Sequence, residues 1–333
     1  MRALRCCLIG ALLAPAIGWS EWLHDKQDIM GTEVSVTLWH DKVDAGNDAI
    51  AAVMAEMRRI DATYSPYIDI SDLARANAQA AKQPVALSAE FSHLIERSLY
   101  YSQLSEGAFD ITFASLGWFY DYRGKKKPDA QQQRELLPAI NYRFLTFDPV
   151  QRTLAFAHPN VRIDLGGIAK GYAVDRAVEI LRSRGISHAS VSAGGDSRLL
   201  GDRRGRPWLI GIKNPRQRGP DDREVVLTMP LNDVAVSTSG DYERYFIDEQ
   251  TGERVHHIIN PKTGRSADSV ISVTILGPQG TDTDALSTTV FVLGVEEGLA
   301  LLNQLPGFDA VIITSAGKVH YSQGLAAPEL GGH

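Results

Sequence analysis

The stretch that most constrains the fold is RIDLGGIAKGYAVDRAVEIL, residues 162–181, where a two-residue period gives way to a helical one across a pair of glycines. Val161, Ile163 and Leu165 alternate with Arg162 and Asp164, the pattern of a half-buried strand. From Gly171 onward, Ala173, Val174, Ala177, Val178, Ile180 and Leu181 fall on one helical face, and Gly185 stands where a left-handed residue would stop the helix. Residues 166–171 are therefore expected to form a strand-to-helix junction carrying Lys170. Free N–H groups at a helix start, glycines that admit a close ligand, and a lysine together suit a phosphate. They suit an ordinary tight turn with a solvated lysine as well, and the segment matches neither GxGxxG nor GxxxxGK[ST].

The chain has 333 residues, 44% hydrophobic and 22% charged, which fits a packed globular protein rather than a disordered one. A formal net charge of −6 argues against a general nucleic-acid binder, which needs a basic surplus to neutralise phosphates. Residues 1–18 read as a signal peptide: Arg2 and Arg5 precede the apolar run CCLIGALLAPAIG, and Ala16 and Gly18 supply small residues for a cut after Gly18. The run is too short to span a bilayer. Export to the periplasm is expected, with residues 19–333 as one mature domain and no stable membrane insertion. Cys6 and Cys7 both lie in this leader, so thiolate and disulfide chemistry are not expected of the mature chain.

No internal repeat or linker divides the rest. MGTEVSVTLW alternates as a strand, and Ile50, Val53, Met54, Met57 and Ile60 share one helical face. Ser88 is placed to cap a helix running through Phe91, Leu94, Ile95 and Leu99 to Gly107. Further strands are expected at HASVSAGG, WLIGI, DVAVSTSG, RVHHII, VISVTIL and DAVIIT. Many strands joined by short turns, with helices interspersed, predict an α+β fold: a single large domain with a mainly antiparallel sheet and flanking helices.

Two further segments carry chemistry. In TDTDALSTTVFVLG, Asp284 and Thr288 are four residues apart, so a helix puts both oxygens on one face, a hard-oxygen pair of the kind that holds Mg²⁺ with a substrate phosphate. Asp282 is a possible additional acid. Helix capping by Asp284 and back-bonding by Thr288 explain the same spacing. In RVHHIINPKTG, adjacent His256 and His257 on a strand would point to opposite faces, and spacing alone does not choose between them.

Taken together, MGT at 30–32, YSPYIDISDLARAN at 64–77, GAFDIT at 107–112, IDLGGIAKGYAVD at 163–175, SAGGD at 192–196, STSGDYERYF at 237–246, HIINPKTG at 257–264 and TDALSTTVFVLG at 283–294 resemble the ApbE family, over roughly residues 28–320. Members of that family are FAD:protein FMN transferases, with an ApbE, T-fold-like architecture. The resemblance implies a periplasmic, Mg²⁺-dependent enzyme, with Mn²⁺ as an alternative metal, that takes FAD as substrate and moves its FMN half onto a threonine or serine hydroxyl, releasing AMP. The implied acceptors are flavoprotein subunits of membrane electron-transfer systems of the Rnf, Nqr or NosR type. Motif by motif, Met30, Tyr67, Ala108, Phe109, Asp110, Asp164 and Lys170 match FAD-contact positions. Asp284, Thr288 and the carbonyl of Gly167 match the metal ligands, and His257 matches the proposed catalytic histidine, with Asp284 its catalytic companion. Asn260 stands where the family commonly has aspartate. Hydrolysis of FAD to FMN and AMP, or noncatalytic flavin binding, are the alternatives the sequence leaves open.

Overall fold

In the computed structural model, which describes residues 21–216 and 225–325, the first element is a hairpin. Strand β1 (Glu21–Ile29) pairs antiparallel with β2 (Thr32–His40), turning at Met30 and Gly31, whose φ angles are 57° and 68°. There follow α1 (Val43–Tyr64), α2 (Asp72–Gln79), β3 (Val85–Ala86), α3 (Ala89–Leu104), α4 (Ala114–Gly117), α5 (Ala130–Leu136), β4 (Leu145–Asp148) and β5 (Thr153–Phe156). Helix α6 (Ala169–Ser183) leads into β6 (Ala189–Ala193), β7 (Asp196–Leu200), β8 (Trp208–Lys213), β9 (Val225–Leu231) and β10 (Ala235–Gly240). The described chain is completed by β11 (Tyr245–Ile247), β12 (Arg254–His256), β13 (Ser272–Gly277), α7 (Gly280–Leu293), α8 (Val295–Leu302), β14 (Asp309–Ile313) and β15 (Val319–Tyr321). The expected signal peptide and its two cysteines lie outside the described residues.

Eight strands form one sheet in the order β1-β2-β6-β7-β10-β13-β14-β15, antiparallel at every step. Because side chains alternate along a strand, the sheet divides the apolar residues between its faces. Val273, Ile275, Ala310 and Ile312 join the main core, whereas Leu276, Val311 and Ile313 join a smaller cluster with Ile212 and Met229 of the β8–β9 hairpin. The main core is roofed by helices: Val53 and Met57 of α1, Ala173 and Val174 of α6, and Leu286 and Val290 of α7 all lie in it. This is the α+β, mainly antiparallel arrangement expected from the sequence.

Helix α7 is sunk between α6 and the sheet. Its residues from Gly280 to Val292 are all buried except Thr288. So deep a helix would ordinarily be apolar, but its polar residues find partners: Thr283 bonds Ser237 and Ser287 bonds Ser239, each at 2.8 Å on β10.

Several local expectations hold. The Ser88 hydroxyl accepts from Phe91 N at 3.1 Å and caps α3, and Gly185, at φ 78°, ends α6 with Ile186 N donating to Leu181 O. One differs. Val161, Ile163 and Leu165 are buried as the alternation predicts, yet the segment joins no sheet. Side chains take the place of a neighbouring strand: Asn77 of α2 accepts from Ile163 N at 2.8 Å and donates to Ile163 O at 2.9 Å, while the Ser115 hydroxyl accepts from Arg162 N at 3.0 Å. Periodicity reports which side chains are buried, and it is silent about who satisfies the backbone. Asn77→Ala strands both polar groups of Ile163 and is expected to cost about 2–4 kcal/mol in urea unfolding; a loss below about 0.5 kcal/mol would refute this account.

Candidate active site

The site is built where α6 and α7 meet at glycines. A Cβ on Gly171 would lie 2.0 Å from the carbonyl oxygen of Gly280, and one on Gly280 would lie 2.6 Å from that of Gly171. With neither side chain present the two backbones touch, and Asp284, one turn into α7, reaches the first turn of α6. There Gly171 N–H donates to Asp284 Oδ2 at 2.9 Å. At this helix start, where the sequence leads us to expect an anion, the structure places the chain's own Asp284 carboxylate.

Lys170 is in the same first turn, because α6 begins at Ala169. Its ammonium lies 2.7 Å from Asp196 Oδ2 and 3.5 Å from both Asp284 oxygens. Burial works against that charge, but Asp196 and Asp284 together hold the Lys170 pKa above the ordinary lysine value. Asp284 is displaced in the opposite sense to most paired acids. Burial and the neighbouring Asp196 carboxylate raise its pKa above the usual range, and Lys170 with the Gly171 N–H only partly offsets them.

One turn beyond Asp284, Thr288 is the point at which α7 opens toward solvent. A Cβ on Gly167 would stand 3.3 Å from Thr288 Oγ1 and 3.2 Å from the Phe109 ring, so the three expected metal ligands lie on adjoining surfaces. Among the described residues no group of three or more His, Cys, Asp or Glu could hold a metal. One carboxylate, one hydroxyl and one main-chain carbonyl suit instead a hard cation that keeps water and phosphate oxygens in its shell. The buried Asp284, whose charge burial and Asp196 disfavour, fits that use, since a nearby cation would relieve it.

The histidine pair is resolved by β12 ending at His256. His256 is buried, with Nε2 2.7 Å from the Ala267 carbonyl and Nδ1 accepting from Ile258 N at 3.3 Å, so it holds the chain together. His257 lies just past the strand, and its Nδ1 is sealed from water without a partner. Burial, then the positive charges of Arg244, His256 and Lys170, push its pKa down to about 3, leaving a neutral imidazole at physiological pH.

The remaining expected contacts fall into three sets. Asp164 accepts from Gly166 N at 2.6 Å, with its pKa raised by burial, and borders the junction. Met30 occupies a left-handed position that non-glycine residues rarely adopt, in a turn pinned by Arg244 Nη2 donating to Gly31 O at 3.2 Å. Ala108 and Phe109 are buried, and the Asp110 carboxylate already accepts from Thr112 N, Thr112 Oγ1 and Tyr142 N at 2.6–2.8 Å, so it fastens this loop. Tyr67 stands apart from the buried group: it is 77% exposed and stacks on Trp118 at 5.6 Å, with the Arg162 guanidinium 3.8 Å from the Trp118 ring. Asn260 serves its turn through Oδ1, which accepts from Lys262 N at 2.9 Å.

Sequence reasoning gave no role to Asp196, Arg244 or Asp175, although each lies in a quoted motif. The carboxylate of Asp196 and the guanidinium of Arg244 acquire meaning only through the sheet and turn that bring them beside Lys170 and His257.

The profile of the ApbE family spans residues 30–312 of this sequence. The chain belongs to the ApbE family. Among ApbE relatives, it is 34% identical over 294 residues to the FAD:protein FMN transferase of Treponema pallidum, covering 83% of this chain and 80% of that one. It is 32% identical over 328 residues to the FAD:protein FMN transferase of Vibrio cholerae, covering 96% of each. The ApbE fold agrees as well. The ApbE protein of Thermotoga maritima superposes with a TM-score of 0.82 at 34% identity, over 91% of this chain and 98% of that one. The Vibrio cholerae flavin transferase ApbE gives 0.80 at 29% identity, over the same shares.

Proposed function

We propose that this ApbE-family enzyme, an FAD:protein FMN transferase, moves the FMN half of FAD onto a threonine or serine hydroxyl of an acceptor protein and releases AMP. The observation that carries this reading is the junction itself: a half-buried lysine between two carboxylates at a helix start, beside Gly167 and Thr288, with a neutral histidine nearby.

Transfer needs attack of the acceptor oxygen on the flavin-side phosphorus while the bond to the AMP phosphate breaks. Such reactions depend on neutralising and aligning phosphates more than on covalent catalysis. Gly166 and Gly167 admit the diphosphate to the main chain, and Lys170 meets one of its charges. Asp164 is placed to bind a sugar or adenine edge. Neutral His257 accepts or orients the proton of the acceptor hydroxyl as the oxygen attacks. Asp284, Thr288 and the Gly167 carbonyl would hold Mg²⁺, or Mn²⁺, which would supply counter-charge for the phosphates and the departing AMP. Acceptors of the Rnf, Nqr or NosR type, and a periplasmic location after removal of residues 1–18, complete the proposal. Among the described residues, no helix is long and apolar enough to cross a membrane.

The test is mass spectrometry of a candidate acceptor domain incubated with the protein, FAD and Mg²⁺, with AMP measured in the same tube. A mass gain equal to FMN on one threonine or serine, with matching AMP, is the expected result; FMN and AMP free in solution, or intact FAD, would overturn it. His257→Ala should slow modification about 10²–10⁴-fold, and an unchanged rate would remove His257 from proton transfer.

A further inference from the structure

Helices α6 and α7 lack caps of their own. Ile168 precedes α6 and Gln279 precedes α7, and neither side chain bonds its helix. Each helix start is instead satisfied by an aspartate of the other. Asp284 of α7 accepts from Gly171 N in α6. Asp175 of α6 accepts at Oδ1 from Gly280 N at 2.7 Å, and at Oδ2 from Thr281 N and the Thr281 hydroxyl, both at 2.8 Å, in α7. Between the two caps lies the glycine contact of Gly171 and Gly280. Arg198 of β7 backs the arrangement, with Nε 3.7 Å from Asp175 Oδ1.

We infer that Asp175 is a positioning residue for this site: by fixing the start of α7 on α6, it sets the register at which Asp284 faces Gly171 and Lys170. The inference rests on the transferase reading for its functional meaning, while its geometry stands apart from it. The side-chain hydrogen bonds of Asp175 go to Gly280 and Thr281, so its hold on Asp284 runs through the start of α7. Loss of its three bonds frees the first turn of α7, and Asp284 lies only one turn further on. Two bonds come from main-chain N–H groups at a helix start, where a carboxylate is worth more than a neutral acceptor. Asp175→Asn keeps the shape while removing the charge and one acceptor.

Two measurements on Asp175→Asn decide the matter. The first is hydrogen exchange in the metal-free protein. Exchange at the Gly171 amide should rise about tenfold although its own acceptor, Asp284, is untouched. The second is the Mg²⁺ concentration for half-maximal AMP release, expected to rise about 10-fold or more, as for other groups that orient metal ligands, with kcat at saturating Mg²⁺ within about threefold of wild type. Thr281→Val, which removes one bond of the three, should shift both in the same direction by less, and Thr281→Ser should restore them. Faster exchange confined to Gly280 and Thr281, with wild-type values at Gly171 and for Mg²⁺, would reduce Asp175 to a local cap and overturn the inference. If wild type shows no Mg²⁺ requirement, the metal assignment fails, and exchange at Gly171 still decides the role of Asp175.

Discussion

Asp284→Asn is expected to lower FMN transfer by at least about 10²–10³-fold at saturating Mg²⁺, while the protein becomes more stable rather than less. The amide oxygen can still accept from Gly171 N, so the α6 cap survives, and Lys170 keeps its 2.7 Å pair with Asp196. What disappears is the negative charge that burial and Asp196 disfavour. A carboxyl whose pKa is raised on folding binds protons more tightly in the native state, so its ionisation erodes stability as pH rises above the ordinary carboxylate range. The gain from asparagine should accordingly be absent in acid, where the native carboxyl is protonated in both states, and grow toward neutral pH. Paired thermal melts across that range, with transfer assays at pH 7, provide the check. Wild-type turnover in the variant would remove Asp284 from the metal site, and a fall in melting temperature would show that its charge supports the fold.

Gly171→Ala should have the largest effect on stability. In an exposed helix the change favours folding by roughly 1 kcal/mol, because alanine is the better helix former. Here the added Cβ meets the Gly280 carbonyl oxygen at 2.0 Å and Asp284 Cβ at 2.7 Å. The first of these is backbone, so relief requires the helices to part. A loss of about 3 kcal/mol or more is expected in urea unfolding, at the upper end of overpacked cores. Transfer should fall with it even where the variant is fully folded, because parting the helices moves Asp284 from Lys170. A stabilised or neutral variant would mean that the crossing is looser than its geometry indicates.

Fold class was legible because alternation and helical periodicity survive in nearly every element that the main sheet and its roof contain. The segment of Val161, Ile163 and Leu165 shows the limit of that signal, since Asn77, distant in sequence, supplies the bonds that a strand neighbour would have given. In the site, the spacing of Asp284 and Thr288 correctly placed both on one helix, and Lys170 at a helix start was readable from its glycines. The closeness of Asp196 to Lys170, and the exchange of caps through Asp175, depend on how separate elements cross; no local pattern encodes that. The pair His256 and His257 was undecided by spacing because the strand stops between them, which turns one inward to Ala267 and leaves the other beside Arg244.

The occupied helix start also governs what can enter. Asp196 and Asp284 face a single ammonium, so once Asp284 gives up its proton the mouth of α6 holds more carboxylate than Lys170 can balance. If the site works as proposed, a diphosphate coming alone would have to displace Asp284 from Lys170 and then sit against two carboxylates, whereas one arriving with a divalent cation would bring counter-charge. On the transferase reading, dinucleotide and divalent cation are therefore expected to load together, each easing the repulsion that the other would meet alone.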